Sequence, residues 1–453
     1  MGKYNAYEKY KDSGVEWLGE IPKHWEVKRF KFLLKDGYEG LKIGPFGSQI
    51  KSEKLSLSGN YKVYGQENVI NQDFLLGYRY LEDELFEELS MYEIKANDLL
   101  ITMMGTSGRC YIVPNNVQKG IMDSHLIRLR LSNIYNLQFI RYLIDESEYV
   151  SYQIRILGKG SIMHGLNSSI IKSLELIIPP KDEQEIITQF LDYKTKQLDA
   201  LIAKKETLLE KLDEKRTAII SHAVTKGLDP NVPMKDSGVE WLGEIPEHWE
   251  KKRLKFVVSK IIDAEHKTAL YDDNGDYLVV RTANVRTGEL LLENAKFTNE
   301  SVYKEWTVRA VPEQGDILFT REAPAGEACL VPEKPIVCLG QRMVLFKFDK
   351  TKYNGYFLLQ SLYSGIADEF IKSLSLGSTV AHFNMSDITS IPLFIPPYNE
   401  QKQIAEYLDQ QTAKIDQQKL KIQQAIDRLK EYRTALITNA VTGKIDVRQV
   451  SIS

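Results

Sequence analysis

Residues 11–22 read KDSGVEWLGEIP, and residues 235–246 read KDSGVEWLGEIP again. The match continues through HWE at 24–26 and 248–250 and through a K-R-x-K-F pattern ending at Phe32 and Phe256, at an offset of 224. A second block repeats at an offset of 217: IIPPKDEQEIITQFLD at 177–192 answers FIPPYNEQKQIAEYLD at 394–409. Downstream, Arg216-Thr217-Ala218 corresponds to Arg433-Thr434-Ala435, and Ala223-Val224-Thr225 to Ala440-Val441-Thr442. Between the blocks only a skeleton survives, with NDLLIT ending at Thr102 against GDILFT ending at Thr320, and Gly160-Ser161 against Gly377-Ser378. A duplicated chain that keeps its frame and varies its middles reads as one fold used twice with two different surfaces. Ordinary duplication with drift is the plainer alternative.

After each IPP turn the prolines forbid helix behind them and release a periodic segment of about forty residues in front. In the second copy Leu408, Ile415, Ile422, Leu429 and Leu436 fall at strict sevens, with Gln411, Gln418, Ala425 and Tyr432 at the intervening fourth positions. In the first copy the corresponding row is Leu191, Leu198, Lys205, Leu212 and Ile219, with Leu201 and Leu208 filling the other seam positions. This is a coiled-coil register. Lys205 interrupts the first helix where Ile422 continues the second, so the two suit each other better than themselves. An antiparallel pairing is the simplest arrangement for two such helices with a domain between them. A helix of that length spans ~60 Å, against ~34 Å for one turn of duplex, which suits a two-part site. Core helices or a homodimer zipper would show the same periodicity.

Residues of about 35 to 175 and 259 to 392 carry short β-branched and aromatic runs punctuated by Gly, Pro and Asn. Leu99 to Thr102, Leu126 to Leu131, Tyr277 to Arg281 and Met343 to Phe348 read as strands, and Leu137 to Ile154 and Tyr356 to Leu374 as helices. Two similar heads of mixed α/β (α+β) type follow. Loops that set Arg, Lys, Gln, Asn, Ser or Thr beside Gly are candidates for nucleic-acid contact, because glycine lets backbone approach phosphate and the polar side chains reach base edges. In the first head they supply Ser48, Gln49 and Lys51 from GPFGSQIK, then Gln66, Asn68, Thr102, Ser107, Arg109, Lys159 and Ser161. In the second they supply Arg281, Asn284, Arg286, Thr320, Arg321, Gln341, Arg342, Ser378 and Thr379. For any one of these an ordinary turn role competes with base contact.

Bulk properties set limits. At 43% apolar and 27% charged over 453 residues, the chain is ordinary globular material with room for two or three cores. No apolar stretch approaches the ~20 residues of a membrane span, and residues 1–10 lack the apolar core of a secretory signal, so a cytoplasmic location is expected. Cys110, Cys329 and Cys338 form no CxxC pair, which fits reduced structural thiols. The net charge of −3 is awkward for a nucleic-acid binder and requires local basic faces, with acidic runs such as Glu82–Glu88 turned away.

Enzyme readings fail on particular residues. An amino-methyltransferase loop needs a polar residue before Pro-Pro-aromatic, and Ile395 stands before Pro396-Pro397-Tyr398. A phosphate loop would require Gly at 153 and an uninterrupted GKS, and Gln153 and Gly160 break both. The histidines give no HExxH; His24 and His248 sit in identical frames beside Trp25 and Trp249, which reads as packing. Those tryptophans suit either a core or a docking surface.

The order head, IPP-x-x-EQ-x-x-I helix, head, IPP-x-x-EQ-x-x-I helix, with SGVEWLGEIP-x-HWE before each head and with GPFGSQIK and GQRM, resembles the specificity subunit of type I restriction-modification systems over essentially the whole chain. The resemblance implies two target recognition domains joined by two long helices in an antiparallel coiled coil with internal pseudo-two-fold symmetry. Boundaries are expected at 1–180 for the first domain with its frame segment, 181–227 for the first helix, 228–397 for the second domain, 398–445 for the second helix and 446–453 for a tail. It also implies binding of double-stranded DNA at a bipartite site, docking of two methyltransferase subunits and of motor-nuclease restriction subunits, and no cofactor or metal in this chain. S-adenosylmethionine, and ATP with Mg, belong to the partners, and the chain itself is expected to be non-catalytic. A duplicated coiled-coil scaffold that gathers proteins without binding DNA is the alternative.

Overall fold

Two helices dominate the chain: Lys181–Lys226 and Tyr398–Val441, of 46 and 44 residues. The computed structural model describes residues 4–451 except 16–17, 52, 54, 158–165, 240–241, 266, 323, 366–369 and 371–383. Two compact units divide the chain, Met1–Lys205 with Gln424–Ser453, and Glu206–Gln423. Each long helix therefore gives one half to each unit.

In the first unit Leu191, Thr195, Leu198, Ile202 and Lys205 turn inward from one helix, and Ile426, Leu429, Arg433, Leu436 and Ala440 from the other. In the second unit the inward sets are Leu209, Leu212, Arg216 and Ile219, and Leu408, Thr412, Ile415, Lys419 and Ile422. The steps alternate four and three, a coiled-coil seam. Of the residues named for the interface, Leu191, Leu198, Leu212, Ile219, Leu408, Ile415, Ile422, Leu429 and Leu436 lie on these inward rows. The other two named residues fall one residue short of them: Leu201 and Leu208 are 43% and 44% exposed, while Ile202 is buried. Gln418 and Tyr432 likewise face outward, and Lys419 and Arg433 take the seam. The first helix carries aliphatic residues at both choices, Leu201-Ile202 and Leu208-Leu209, and polar residues disguise the true row elsewhere.

Those polar seam residues are satisfied across the helices. Arg433 pairs with Asp199 at 2.8 Å in the first unit; in the second, Lys419 pairs with Asp213 and Arg216 with Asp416, both at 2.5 Å. As one partner advances from 199 to 213 to 216, the other retreats from 433 to 419 to 416, so the helices run antiparallel in both units. Thr195 and Thr412 return their hydroxyls to the carbonyls of Leu191 and Leu408, at 2.8 Å each.

The repeated frame motifs tie each helix root to its head. Glu183 accepts from Tyr7 Oη and pairs with His24 Nε2 at 2.7 Å, and Glu400 pairs with His248 Nε2 at 2.8 Å and accepts from Trp249 Nε1 at 3.1 Å. The neighbouring Gln184 accepts from the Asn136 N–H and donates to the Pro179 carbonyl; Gln401 accepts from the Asn354 N–H and donates to the Pro396 carbonyl. Each of these asparagines caps a head helix with its side chain, at 2.9 Å from the Phe139 N–H and 3.0 Å from the Phe357 N–H. Trp25 and Trp249 are fully buried, which settles them as core. Both long helices end in a left-handed glycine, Gly227 at φ 77° and Gly443 at φ 71°. A Cβ on Gly443 would stand 2.4 Å from Pro22 and 3.1 Å from Trp25, so the frame packs directly on the helix terminus.

The head strands are, in chain order, β1 (Leu41–Ile43), β2 (Tyr61–Tyr64), β3 (Leu99–Thr102), β4 (Cys110–Ile112), β5 (Gly120–Met122) and β6 (Leu126–Leu129) in the first unit. The second unit has β7 (Val258–Asp263), β8 (Tyr277–Val280), β9 (Ile317–Thr320), β10 (Ala328–Leu330), β11 (Ile336–Leu339) and β12 (Met343–Phe348). Antiparallel sheets run β1-β6-β3-β4 and β7-β12-β9-β10, and smaller sheets pair β2 with β5 and β8 with β11 in parallel. The same topology appears in both units. Strand β3 is buried on both faces: Leu99 and Ile101 join the core beneath the head helix, and Leu100 joins the core facing the small sheet. In β9, Ile317 and Phe319 against Leu318 repeat the division. The first expected helix is present but interrupted: it runs Leu137–Arg141, widens through Tyr142–Glu146, breaks at Ser147 and continues as Glu148–Leu157. The second is Gly355–Leu362, followed by a turn at residues 363–365, with 366–369 and 371–374 of its range outside the described residues. The acidic run forms helix Asp83–Leu89, which buries Phe86 and Leu89 against Val63 and Ile121 and turns its carboxylates to solvent. All three cysteines are buried, and burial pushes the thiols of Cys329 and Cys338 up to about 12.

The seam assignment makes a measurable distinction between adjacent residues. Ile202→Ala should lower stability by about 2 kcal/mol, whereas Leu201→Ala should stay within about 0.5 kcal/mol of the parent, both read from urea unfolding; equal losses would contradict this register.

Candidate nucleic-acid interface

Antiparallel geometry gathers the candidate loops at one end of each large sheet. In the first unit the chain leaves β1 into Gly44–Lys51, leaves β2 into Gln66–Asn68, leaves β3 into Met103–Arg109 and enters β6 from Asp123–His125. Direct bonds join these loops: Met104 N–H donates to Gln66 Oε1 at 3.2 Å, Met103 N–H to the His125 carbonyl at 2.9 Å, and Gly44 N–H to the Leu126 carbonyl at 2.9 Å. Gly44 is forced there, since a Cβ would lie 1.8 Å from the Asp123 carbonyl oxygen. Arg79 closes the cluster, holding Glu67 at 2.9 Å and Asp123 at 3.1 Å.

The second unit repeats the arrangement with other side chains. Arg281–Arg286 follows β8, the segment after Thr320 follows β9, and Gln341-Arg342 precedes β12. Arg321 N–H donates to the Arg342 carbonyl at 2.9 Å, the counterpart of the Met103 to His125 bond. Arg281, Thr282, Gln341 and Arg342 line a hollow of about 200 Å³ with Thr268 and Tyr271. Two non-glycine residues of these loops, Thr287 at φ 49° and Arg342 at φ 67°, hold left-handed backbone.

The sequence-derived residues fall into three groups. Asn68, Thr102, Asn284 and Thr320 are fully buried and bond inward. Asn68 accepts from the Gly65 N–H at 2.9 Å and Asn284 from the Arg281 N–H at 3.2 Å, while Thr102 and Thr320 accept from the N–H of Arg109 and Glu327 at 3.1 and 2.9 Å. These four shape the loops from beneath and present nothing to solvent. Ser48, Lys51 and Arg342 are exposed, and Gln49, Gln66, Ser107, Arg109, Arg281, Arg286, Arg321 and Gln341 are half-buried at the loop end. Lys159, Ser161, Ser378 and Thr379 lie outside the described residues.

Several of the guanidinium groups are held by carboxylates. Arg109 pairs with Asp145 at 2.8 Å, Arg321 with Asp263 at 2.6 Å and Arg342 with Glu322 at 2.8 Å. Burial pushes the Asp145 carboxyl above the usual range, against the opposing pull of Arg109 and the Cys110 N–H. Ser124 and His125 were missed in the sequence: they occupy the places of Gln341 and Arg342, and the signal was the polar pair before each strand, DSHLIRL at 123–129 against GQRMVLF at 340–346. Among the described residues no cluster of His, Cys, Asp or Glu is arranged to hold a metal ion, and no helix is long and apolar enough to cross a membrane.

The family profile described as the type I restriction modification DNA specificity domain matches residues 43–211 and again 246–428. The chain is 24% identical over 442 residues to the type I restriction enzyme MjaVIII specificity subunit of Methanocaldococcus jannaschii, covering 95% of each. It is 28% identical over 212 residues to the EcoKI specificity subunit of Escherichia coli, covering 45% of this chain and 44% of the relative. A solved chain from a type I R-M assembly shares its fold with a TM-score of 0.67 at 14% identity, covering 94% of this chain and 99% of that one. The HsdS subunit from Thermoanaerobacter tengcongensis matches with a TM-score of 0.52 at 15% identity, covering 96% and 100%.

Buried and exposed loop residues should respond differently to truncation. Asn284→Ala leaves the Arg281 N–H and the Leu291 carbonyl without their partner and should cost about 1–3 kcal/mol of stability. Arg342→Ala, at the exposed tip, should leave the thermal midpoint within about 2 °C. Calorimetry on the two variants checks this, and a midpoint unmoved by Asn284→Ala would remove its scaffolding role.

Proposed function

The chain belongs to the type I restriction-modification DNA specificity family, and from that premise we propose that it reads a bipartite DNA sequence for methyltransferase and motor-nuclease subunits while making and breaking no bonds itself. One observation carries the reading. Two copies of one frame each gather their divergent loops at the same end of the same sheet topology. Different side chains on a common scaffold are what two half-sites of unlike sequence require.

Each head grips its half of the site through the loop end, where Gln and Arg side chains can make bidentate contacts to adenine and guanine. Arg342, Gln341 and Arg281 around their hollow are the base-reading candidates of the second head; Gln66, Ser124 and His125 are those of the first. The buried Asn68, Asn284, Thr102 and Thr320 fix loop shape, so their effect on specificity is through positioning. The long helices, each shared between the two units, set the spacer between half-sites. Methyltransferase subunits bring S-adenosylmethionine and take the target adenine out of the stack into their own pockets, and the restriction subunits bring ATP and Mg.

Exchange of residues 35–175 for those of a relative should change one half of the methylated sequence and leave the other intact, read by genome-wide adenine methylation mapping. Changes in both halves would contradict independent heads. With the methyltransferase present, affinity for the duplex should fall steeply with salt; the same affinity with scrambled duplex would favour a scaffold without sequence reading.

A further inference from the structure

The hairpin between β3 and β4 in the first head and the one between β9 and β10 in the second close with the same bonds. Thr102 N–H donates to the Arg109 carbonyl and Gly108 N–H to the Thr102 carbonyl, both at 2.9 Å; Thr320 N–H donates to the Glu327 carbonyl at 2.8 Å and Gly326 N–H to the Thr320 carbonyl at 2.9 Å. Gly108 and Gly326 hold left-handed backbone at φ 87° and 89°. Arg109 and Glu327 therefore occupy one position of one turn, half-buried at the loop end, with opposite charge.

The residue beneath them changes in step. Asp145 stands as far past the capping Asn136 as Tyr363 stands past the capping Asn354. Each accepts from the backbone N–H that follows the turn position, Asp145 Oδ1 from Cys110 at 3.0 Å and Tyr363 Oη from Ala328 at 2.9 Å. Each also holds the side chain of the turn residue: Arg109 Nε pairs with Asp145 Oδ1 at 2.8 Å, and Tyr363 Oη donates to Glu327 Oε2 at 2.7 Å. The Asp145 side chain is 1% exposed, so its place is fixed. Burial pushes the Tyr363 phenol well above its ordinary value, so it stays a donor. A carboxylate lies under the cation and a hydroxyl under the anion, and the exchange of both members keeps the geometry while reversing what the turn presents.

The unused atoms define that reversal. Arg109 meets Asp145 through Nε and, at 3.4 Å, through Nη2, while among the described residues its Nη1 forms no hydrogen bond. An arginine held along that side presents its terminal nitrogens as donors. Glu327 Oε2 also accepts from the Thr287 N–H at 2.6 Å, and among the described residues Oε1 accepts from nothing. A glutamate held through one oxygen presents the other as an acceptor.

We propose that this turn position reads one base in each half-site with opposite polarity: Arg109 donates to guanine, Glu327 accepts from the amino group of cytosine, and Asp145 and Tyr363 are the positioning residues that aim them. This rests on the functional reading above and deepens it by naming the bases and the atoms that meet them. Guanine sets two acceptors on its major-groove edge and cytosine a donor alone, whereas adenine places an acceptor beside its amino group and would repel a carboxylate. A carboxylate turned towards a polyanion is disfavoured unless a donor meets it, which makes Glu327 a selective contact rather than an adhesive one.

The test uses the full chain with its methyltransferase subunit: the methylated motif is mapped, and methylation rates are then measured on duplexes carrying each single base-pair change. R109A should reduce discrimination about tenfold at one guanine of one half-site, and E327Q, which keeps the shape of the side chain, should do so at one cytosine of the other half. D145N and Y363F should weaken discrimination at those same two positions, each leaving the other half intact, a pattern that a general folding defect does not produce. E327R combined with Y363D should move the preferred base at the second position from cytosine to guanine. Motifs unchanged in R109A and E327Q, or A·T pairs at both affected positions, overturn this inference and leave the functional reading standing. A parent chain that directs methylation to no defined sequence overturns that reading and this inference together.

Discussion

Besides Lys205, three cations occupy seam positions where leucine would maximise burial: Arg216, Lys419 and Arg433. Each finds its carboxylate on the other long helix only if the helices run antiparallel in one register, against Asp416, Asp213 and Asp199. Solvent-accessible ion pairs of this kind are worth about 0.2–1 kcal/mol apiece. They contribute little to stability, which comes from the leucine and isoleucine rows beside them, and much to direction, because sliding by one turn would set a charge against an aliphatic layer. Everything else follows from that direction. The first unit takes the beginning of one helix and the end of the other and so joins two pieces of chain, whereas the second takes the end of the first helix and the beginning of the second and is contiguous.

The antiparallel arrangement explains why the frame motifs repeat so closely while the heads do not. A helix terminus with its left-handed glycine, the fully buried tryptophan and the glutamate at the opposite helix root form one packed set in each unit, at Gly443, Trp25 and Glu183 and at Gly227, Trp249 and Glu400. In the first unit these parts come from segments far apart in sequence, and Tyr7 supplies Glu183 with the bond that Trp249 supplies to Glu400. Removing the Tyr7 hydroxyl or the Trp249 indole leaves its glutamate short of a donor, a cost of about 1–3 kcal/mol, and a side chain on either glycine would collide with the packed set. The loops at the end of each sheet carry no such obligation, apart from the asparagine and threonine beneath them. Exposed positions there can therefore differ, Ser124-His125 in one head and Gln341-Arg342 in the other, without disturbing the strands that hold them.

The duplication, the helix pair and the strands Leu99–Thr102 and Met343–Phe348 were legible because long periodicity and continuous apolar runs are strong local signals. The second seam row was not, since Leu201-Ile202 and Leu208-Leu209 offer leucine or isoleucine at either choice and only the partner helix decides between them. The loop residues were legible by type and location, and their burial was not. Asn68 and Asn284 look like base-reading amides in the sequence, yet a turn that needs its own N–H capped uses the same side chain. The place of His125 is legible only when the polar pairs before the two strands are matched between heads, a match carried by the carbonyl it presents to Met103, as Arg342 does to Arg321.

The electrostatics of the loop end bear on how such a chain with a net charge of −3 could engage a polyanion. Arg109, Arg321, Arg342 and Arg79 are each clamped by a carboxylate of the same unit. A clamp of this kind orients a guanidinium, whose planar fork is useful for base recognition only when aimed. It also weakens the long-range field of those four groups, which favours discrimination at contact distance over attraction of phosphate from afar. Phosphate attraction supplies most of the sequence-independent affinity of DNA binders. On the proposed function that contribution has to come from the subunits docked beside the heads, which gives a physical reason for dividing reading from gripping: a reader with little attraction of its own lingers nowhere that its loops do not fit.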